Sequence, residues 1–261
     1  MIVNFTDTQI TSLVTQYIWP FFRVAALVGV APIFGTHTVP ARAKLIIAAS
    51  LTIMIAPILP PLKFIDPLSF QGMMVTFHQV LIGIAIGFMV TLVFGALVTG
   101  GQMVAQLMGL GFASLNDPQN GVSVPVVGQF YTVLATLIFL IMNGHLVLVN
   151  LLVSSFQTMP IGDFGLSSDK VWQLVLWGKW VFIAAVMIAL PAVTALLLVN
   201  IAFGVMTRAA PQLNIFAVGF PITILLGFVV MLISLPYFVP KLQLAFEQVF
   251  HFISSTLIAK V

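Results

Sequence analysis

Cysteine is absent from this 261-residue chain, which excludes disulfides, thiolate metal sites and thiol nucleophiles. Charge is nearly absent as well. Nine Lys and Arg with six Asp and Glu make up 6% of the residues, against roughly 25% in an ordinary soluble domain. Between Pro67 and Asn116, and again between Pro118 and Gly162, there is no Asp, Glu, Lys or Arg. So few charges cannot supply the polar shell that a soluble protein of this length needs. The net charge of +3 comes from scattered cations and not from a cluster, so nothing here binds nucleic acid by a basic surface. Before Arg23 the chain carries Asp7 and no Lys or Arg. A cleavable signal peptide opens on a basic region, so the first segment is expected to be retained.

What the chain has in abundance is apolar length. Hydrophobic residues make up 61%, and about 18 or more in succession with few charges read as a membrane span. Six apolar stretches run over about 10–34, 45–62, 72–99, 126–159, 171–206 and 215–239, followed by a more amphipathic tail. Segments that cross lipid must be helical, because an open backbone leaves N–H and C=O groups unpaired there. The expected fold is all-α, a polytopic membrane protein forming one domain over 1–261, without repeats. Orientation rests on one pair of cations, Arg42 with Lys44, which points to a cytoplasmic loop after the first stretch.

The polar residues that interrupt this pattern are few. Arg23 lies in the first stretch beside Trp19 and Phe22. An ionisable group at membrane depth is a functional candidate by default. Alternatively, Pro20 ends one helix and begins another, and Arg23 snorkels to an interface. His78 and His145 are single imidazoles among aliphatic residues, without the neighbouring ligands a metal site needs; structural hydrogen bonding is their expected role. Gly83, Gly87, Thr91 and Gly95 recur every four residues, a ridge that allows close helix packing. That ridge serves either an assembly of many helices or packing within the chain. The six carboxylates are scattered in loops and tails, so no catalytic pair, nucleophile with base or metal cluster is expected. Helices broken by Gly and Pro also fit a secondary transporter, but its ion-binding carboxylates are missing from the spans.

One segment departs from the pattern altogether. "GLGFASLNDPQNGVSVP" (109–125) sets Asn116, Asp117, Gln119 and Asn120 among glycines and prolines, between two long apolar runs. Gly109, Gly111 and Gly121 permit turns that other residues resist, and Asp117-Pro118 forms turns readily. Met103 and Met108 lie just before it, flexible enough to seal against varied surfaces. Such backbone at membrane depth must be buried in protein or line a watery cavity; otherwise the segment is an extramembrane connector.

"TRAAPQLNIFAVGFP" (207–221) resembles the FliR family of the flagellar type III export apparatus, which has counterparts in virulence injectisomes. Five further stretches agree in order: "FFRVAALVGVAPIFG" (21–35), "VPARAKLIIAASLT" (39–52), "GGQMVAQLMGLGFASLNDPQNGVSVPVV" (100–127), "FLIMNGHLVLVNLLVSSFQTMPIG" (139–162) and "ALPAVTALLLVNIAFGV" (189–205). The resemblance covers nearly the whole chain.

The resemblance implies a non-enzymatic, cofactor-free subunit of an export gate in the bacterial inner membrane at the flagellar basal body. It would be held partly at the periplasmic level and built of kinked helical hairpins, a FliP-like unit followed by a FliQ-like hairpin. Its implied partners are several copies of FliP and FliQ, with FlhB and FlhA nearby, membrane lipid, and unfolded export substrates. It further implies a pore plug at 109–125, with Met108, Gly109, Leu110, Gly111, Phe112, Asn116, Asp117, Pro118, Gly121 and Pro125 as gate residues. Arg208, Gln212 and Asn214, the polar residues of the 207–221 motif, join Arg23 and His145 in structural roles. An injectisome gate subunit is the alternative within the same family.

Overall fold

A computed structural model of the chain describes residues 7–36, 38–62, 64–111, 126–162, 165–210 and 215–259; for 7–13 and 215–218 it describes the backbone alone. The described residues form helices and no strands: α1 (Asp7–Val30), α2 (Ala41–Ile55) with a 3₁₀ turn at Ala56–Ile58, and α3 (Phe70–Leu107). Beyond 125 come α4 (Val126–Ile141), α5 (Gly144–Thr158), α6 (Ser168–Leu176), α7 (Gly178–Ala209) and α8 (Ile215–Phe252), which ends in a π-turn at Ile253–Leu257. The protein is an all-α polytopic membrane protein. Among the described residues, four helical segments are long and apolar enough to cross a bilayer: Ala41–Ile58, Phe70–Leu107, Ser168–Ala209 and Gly219–Leu257.

Local chemistry sets several boundaries. Ser167 caps α6 by accepting from the Lys170 amide, with Asp169 in the first turn where the helix dipole favours an anion. The stretch 126–159, continuous in hydropathy, is two helices. Asn143 adopts the left-handed conformation (φ 56°) between α4 and α5, which asparagine tolerates better than most residues. Threonines inside the apolar helices return their hydroxyls to carbonyls one turn back, as at Thr76, Thr99, Thr132 and Thr194, so they bring no unpaired donor into lipid. Proline does not stop these helices: Pro20 lies inside α1, Pro191 inside α7, and Pro221, Pro236 and Pro240 inside α8.

The chain divides into two compact units, each assembled from separate pieces. The first comprises Met1–Thr91, Asn143–Trp177 and Gln248–Val261. Within it α1 and α2 form an antiparallel hairpin. Lys44 Nζ donates to the Gly35 carbonyl at the turn (2.9 Å), and at the open end Gln16 Nε2 donates to Ala56 O (2.9 Å) while its Oε1 accepts from Leu62 N (3.2 Å). The second unit comprises Leu92–Met142 and Gly178–Glu247. At its centre Phe94, Phe139 and Phe246 pack with ring centroids 5.2–6.4 Å apart, and Tyr131 stacks on Phe238 at 4.8 Å.

Candidate functional site

The polar segment begins where α3 ends, and α3 ends in a Schellman motif. Gly109 has φ +81°; its N–H donates to Gln106 O (3.1 Å) and the Leu110 N–H donates to Ala105 O (3.0 Å). Glycine takes this left-handed conformation without the Cβ penalty. The last carbonyls of a helix have no partners within it, and in an apolar protein water is not at hand. Here Asn200 of α7 donates from Nδ2 to Leu107 O (3.0 Å), and Thr223 of α8 donates to Met108 O (3.4 Å). Met108 is fully buried. Gly109, Leu110 and Gly111 are half-buried, while Phe112, Asn116, Asp117, Pro118, Gly121 and Pro125 lie outside the described residues.

The small-residue ridge starts in the first unit. A Cβ at Gly83 would run into the Arg23 carbonyl and stand 2.8 Å from Ala26 Cβ; at Gly87 it would meet Ala31 N at 3.1 Å and Leu27 O at 3.2 Å. Thr91 donates to Val30 O at 3.1 Å. These three residues lie against α1. Around Gly95, in the second unit, a Cβ would meet Val181 Cγ1 alone, at 4.0 Å.

Arg23 does not snorkel. α1 runs unbroken through Pro20, and Arg23 is 0% exposed. Its Nε donates to Gln79 Oε1 (2.8 Å), Nη1 to Ser155 Oγ (3.0 Å) and Nη2 to Met159 O (2.9 Å), while Cζ lies 4.2 Å from the centroid of the Phe156 ring. Ser155 Oγ in turn donates to Leu152 O (2.6 Å). The three hydrogen-bond partners are an amide, a hydroxyl and a backbone carbonyl, which with a π-face solvate the cation. One planar guanidinium thereby ties α1 to α3 and to the α5 region.

Of the other expected residues, Arg208 is exposed in the last turn of α7, where a cation complements the helix dipole. His145 Nδ1 is buried and meets no hydrogen-bond partner among the described residues. Gln212 and Asn214 lie outside those residues. No cluster of three metal-ligating side chains occurs among the described residues. Reading the sequence for ionisable groups passed over Gln79, Ser155, Asn200 and Thr223. Their signal is weaker but real: an amide or hydroxyl inside a long apolar run has to find a partner.

Fold and site together define a polytopic α-helical membrane protein in which a polar segment is rooted among apolar helices. The family model for bacterial export proteins, family 1, matches residues 14–249, and the chain belongs to that family. It is 39% identical over 249 residues to the flagellar biosynthetic protein FliR of Escherichia coli (strain K12), covering 95% of each chain. It is 36% identical to the protein of that name from Pectobacterium carotovorum subsp. carotovorum, covering 98% of this chain and 97% of the relative. With the one from Bacillus subtilis (strain 168) the identity is 29%, over 87% and 88%.

Proposed function

We propose that this chain is a non-enzymatic subunit of the flagellar protein-export gate and that residues 109–125 form its plug. The observation that carries the reading is where the polar segment starts. An extramembrane connector begins at a solvated helix end, whereas this one leaves α3 beside a fully buried Met108 whose carbonyl faces the hydroxyl of a buried Thr223 at 3.4 Å. A constriction of packed apolar groups stops ions by excluding water. A loop can then yield to an unfolded polypeptide while the surrounding helices stay folded, because loops occupy the low-stability end of a structure.

Assembly with FliP- and FliQ-like subunits fits the surface. Phe182, Leu198 and Val205 on α7 and Leu225, Leu232 and Ile233 on α8 are each more than half exposed, and so much apolar surface has to be covered by lipid or partners. Length also bears on depth. At about 1.5 Å per residue, the 38-residue α3 and α8 are each about 57 Å long, against a hydrocarbon core of about 30 Å. Part of each helix must lie beyond the lipid, which supports a subunit held partly at the periplasmic level of the bacterial inner membrane, at the basal body. Both units belong to one gate subunit, since a single family model matches residues 14–249, which take in both. FlhB and FlhA would complete the apparatus, with unfolded export substrates as cargo. The relatives named above carry flagellar names, which favours a flagellar gate over an injectisome one.

Removing part of 112–124 from the full chain should raise ion permeability of the membrane while leaving co-purification with FliP- and FliQ-like partners intact. Unchanged conductance in a variant that still assembles defeats the plug.

A further inference from the structure

Around the end of α3, three residues of α8 fall on one helical face: Phe220, Thr223 and Gly227, spaced three and then four apart. Each addresses one of two adjacent residues, Met108 or Gly109. The Phe220 ring carbons lie 2.6 and 2.7 Å from where a Cβ on Gly109 would stand, and Thr223 donates to the Met108 carbonyl. Gly227 is empty where Met108 is full: a Cβ there would lie 2.5 Å from Met108 Cγ, 2.6 Å from Cε and 2.8 Å from Sδ. Fits this close recur in mirror image, a glycine on α3 facing an aromatic on α8 and a glycine on α8 facing a methionine on α3.

We propose that Gly227 is a positioning residue whose missing side chain admits Met108, so that the Met108–Gly227 fit sets the direction in which the chain leaves α3 and, with it, the resting seal. The second half rests on the gate reading above; the first does not. The Schellman bonds close the end of α3 on itself, but hydrogen bonding from α8 is too weak to place it against that helix. Thr223 shares one hydroxyl proton between Met108 O at 3.4 Å and Phe220 O at 3.0 Å, the former beyond the usual O–H···O range. Shape therefore does most of the positioning against α8, and a methyl group at Gly227 disturbs it.

The experiment is a size-compensation cycle in the full chain, assembled in membranes: Gly227→Ala, Met108→Ala and both together. Potassium leak and amide hydrogen exchange at Gly109 and Leu110 are measured on each. Gly227→Ala should speed exchange at both amides and raise the leak several-fold, and adding Met108→Ala should return both readouts towards the parent. Independent structural damage gives additive losses instead, and additivity overturns the proposal. So does an unchanged leak in a Gly227→Ala variant that assembles, provided deletion within 112–124 does raise it. If that deletion is silent the plug reading fails by itself, and exchange decides the positioning claim: accelerated and rescued supports it, unchanged overturns it. Should Gly227→Ala fail to accumulate, Met108→Ala by itself provides the second variant: emptying the fit from the other side should accelerate exchange at the same two amides, and an unaltered rate overturns the proposal.

Discussion

Arg23 and Met108 are both fully buried, yet the protein holds them by opposite means. Around Arg23, polar groups do the work: three hydrogen bonds of 2.8–3.0 Å and an aromatic face surround one cation. Around Met108 and Gly109 the helix closes on itself by backbone hydrogen bonds, and what holds it against α8 is shape, with glycines opposite large side chains and one long hydroxyl contact. The difference teaches where rigidity is wanted. A buried cation relaxes only at high cost, because any partner that leaves strands a charge in a medium without water. A fit of apolar shapes can be left by small, graded movements. The first arrangement suits a permanent tie between helices, the second a helix end that small shifts can adjust.

That contrast can be broken at either end, and the expected effects descend in order. Arg23→Ala removes the cation, opens a cavity and orphans Gln79, Ser155 and the Met159 carbonyl. It should destabilise the protein by about 3–5 kcal/mol, read as loss of protease-resistant protein in membranes and a lower midpoint in detergent unfolding. Arg23→Lys keeps the charge but cannot span three separate acceptors, so the loss should be about 1–3 kcal/mol; a lysine variant as stable as the parent would show that geometry is irrelevant there. Gly83→Ala drives a methyl group into the α1 backbone and should cost about 1–3 kcal/mol, whereas Gly95→Ala, with only one side chain near, should lie within about 0.5 kcal/mol of the parent. Equal losses at the two glycines would mean the ridge does not pack as described. Smallest of all, Asn200→Ala leaves the Leu107 carbonyl unpaired and should cost about 1 kcal/mol in global stability, with its main effect a local rise in amide exchange at Gly109 and Leu110.

Much of the fold was legible in the order of residues. Four long apolar helical segments follow from runs with few charges, one of them, Phe70–Leu107, with none, and the loop's root at Gly109 follows from a glycine closing that run. Boundaries were less legible. The 126–159 stretch is apolar throughout, and only the backbone angle at Asn143 divides it. α8 continues through three prolines and the amphipathic tail, because lost backbone bonds in such helices can be made up by neighbours. Pro20 illustrates the same limit: a residue that breaks isolated helices is carried inside α1, and Arg23 goes to the interior with it.

What the amino-acid sequence determined by itself is solvent: a chain with so little charge has to be helical and membrane-embedded, since composition is a sum over residues that needs no geometry. Partners are another matter. Arg23 meets groups 56, 132 and 136 residues away, and Thr223 reaches back 115; no local pattern encodes such distances. Only tertiary structure decided that the buried cation is held by an amide, a hydroxyl and a carbonyl from distant segments and that one methionine fits opposite one glycine at the start of the polar segment.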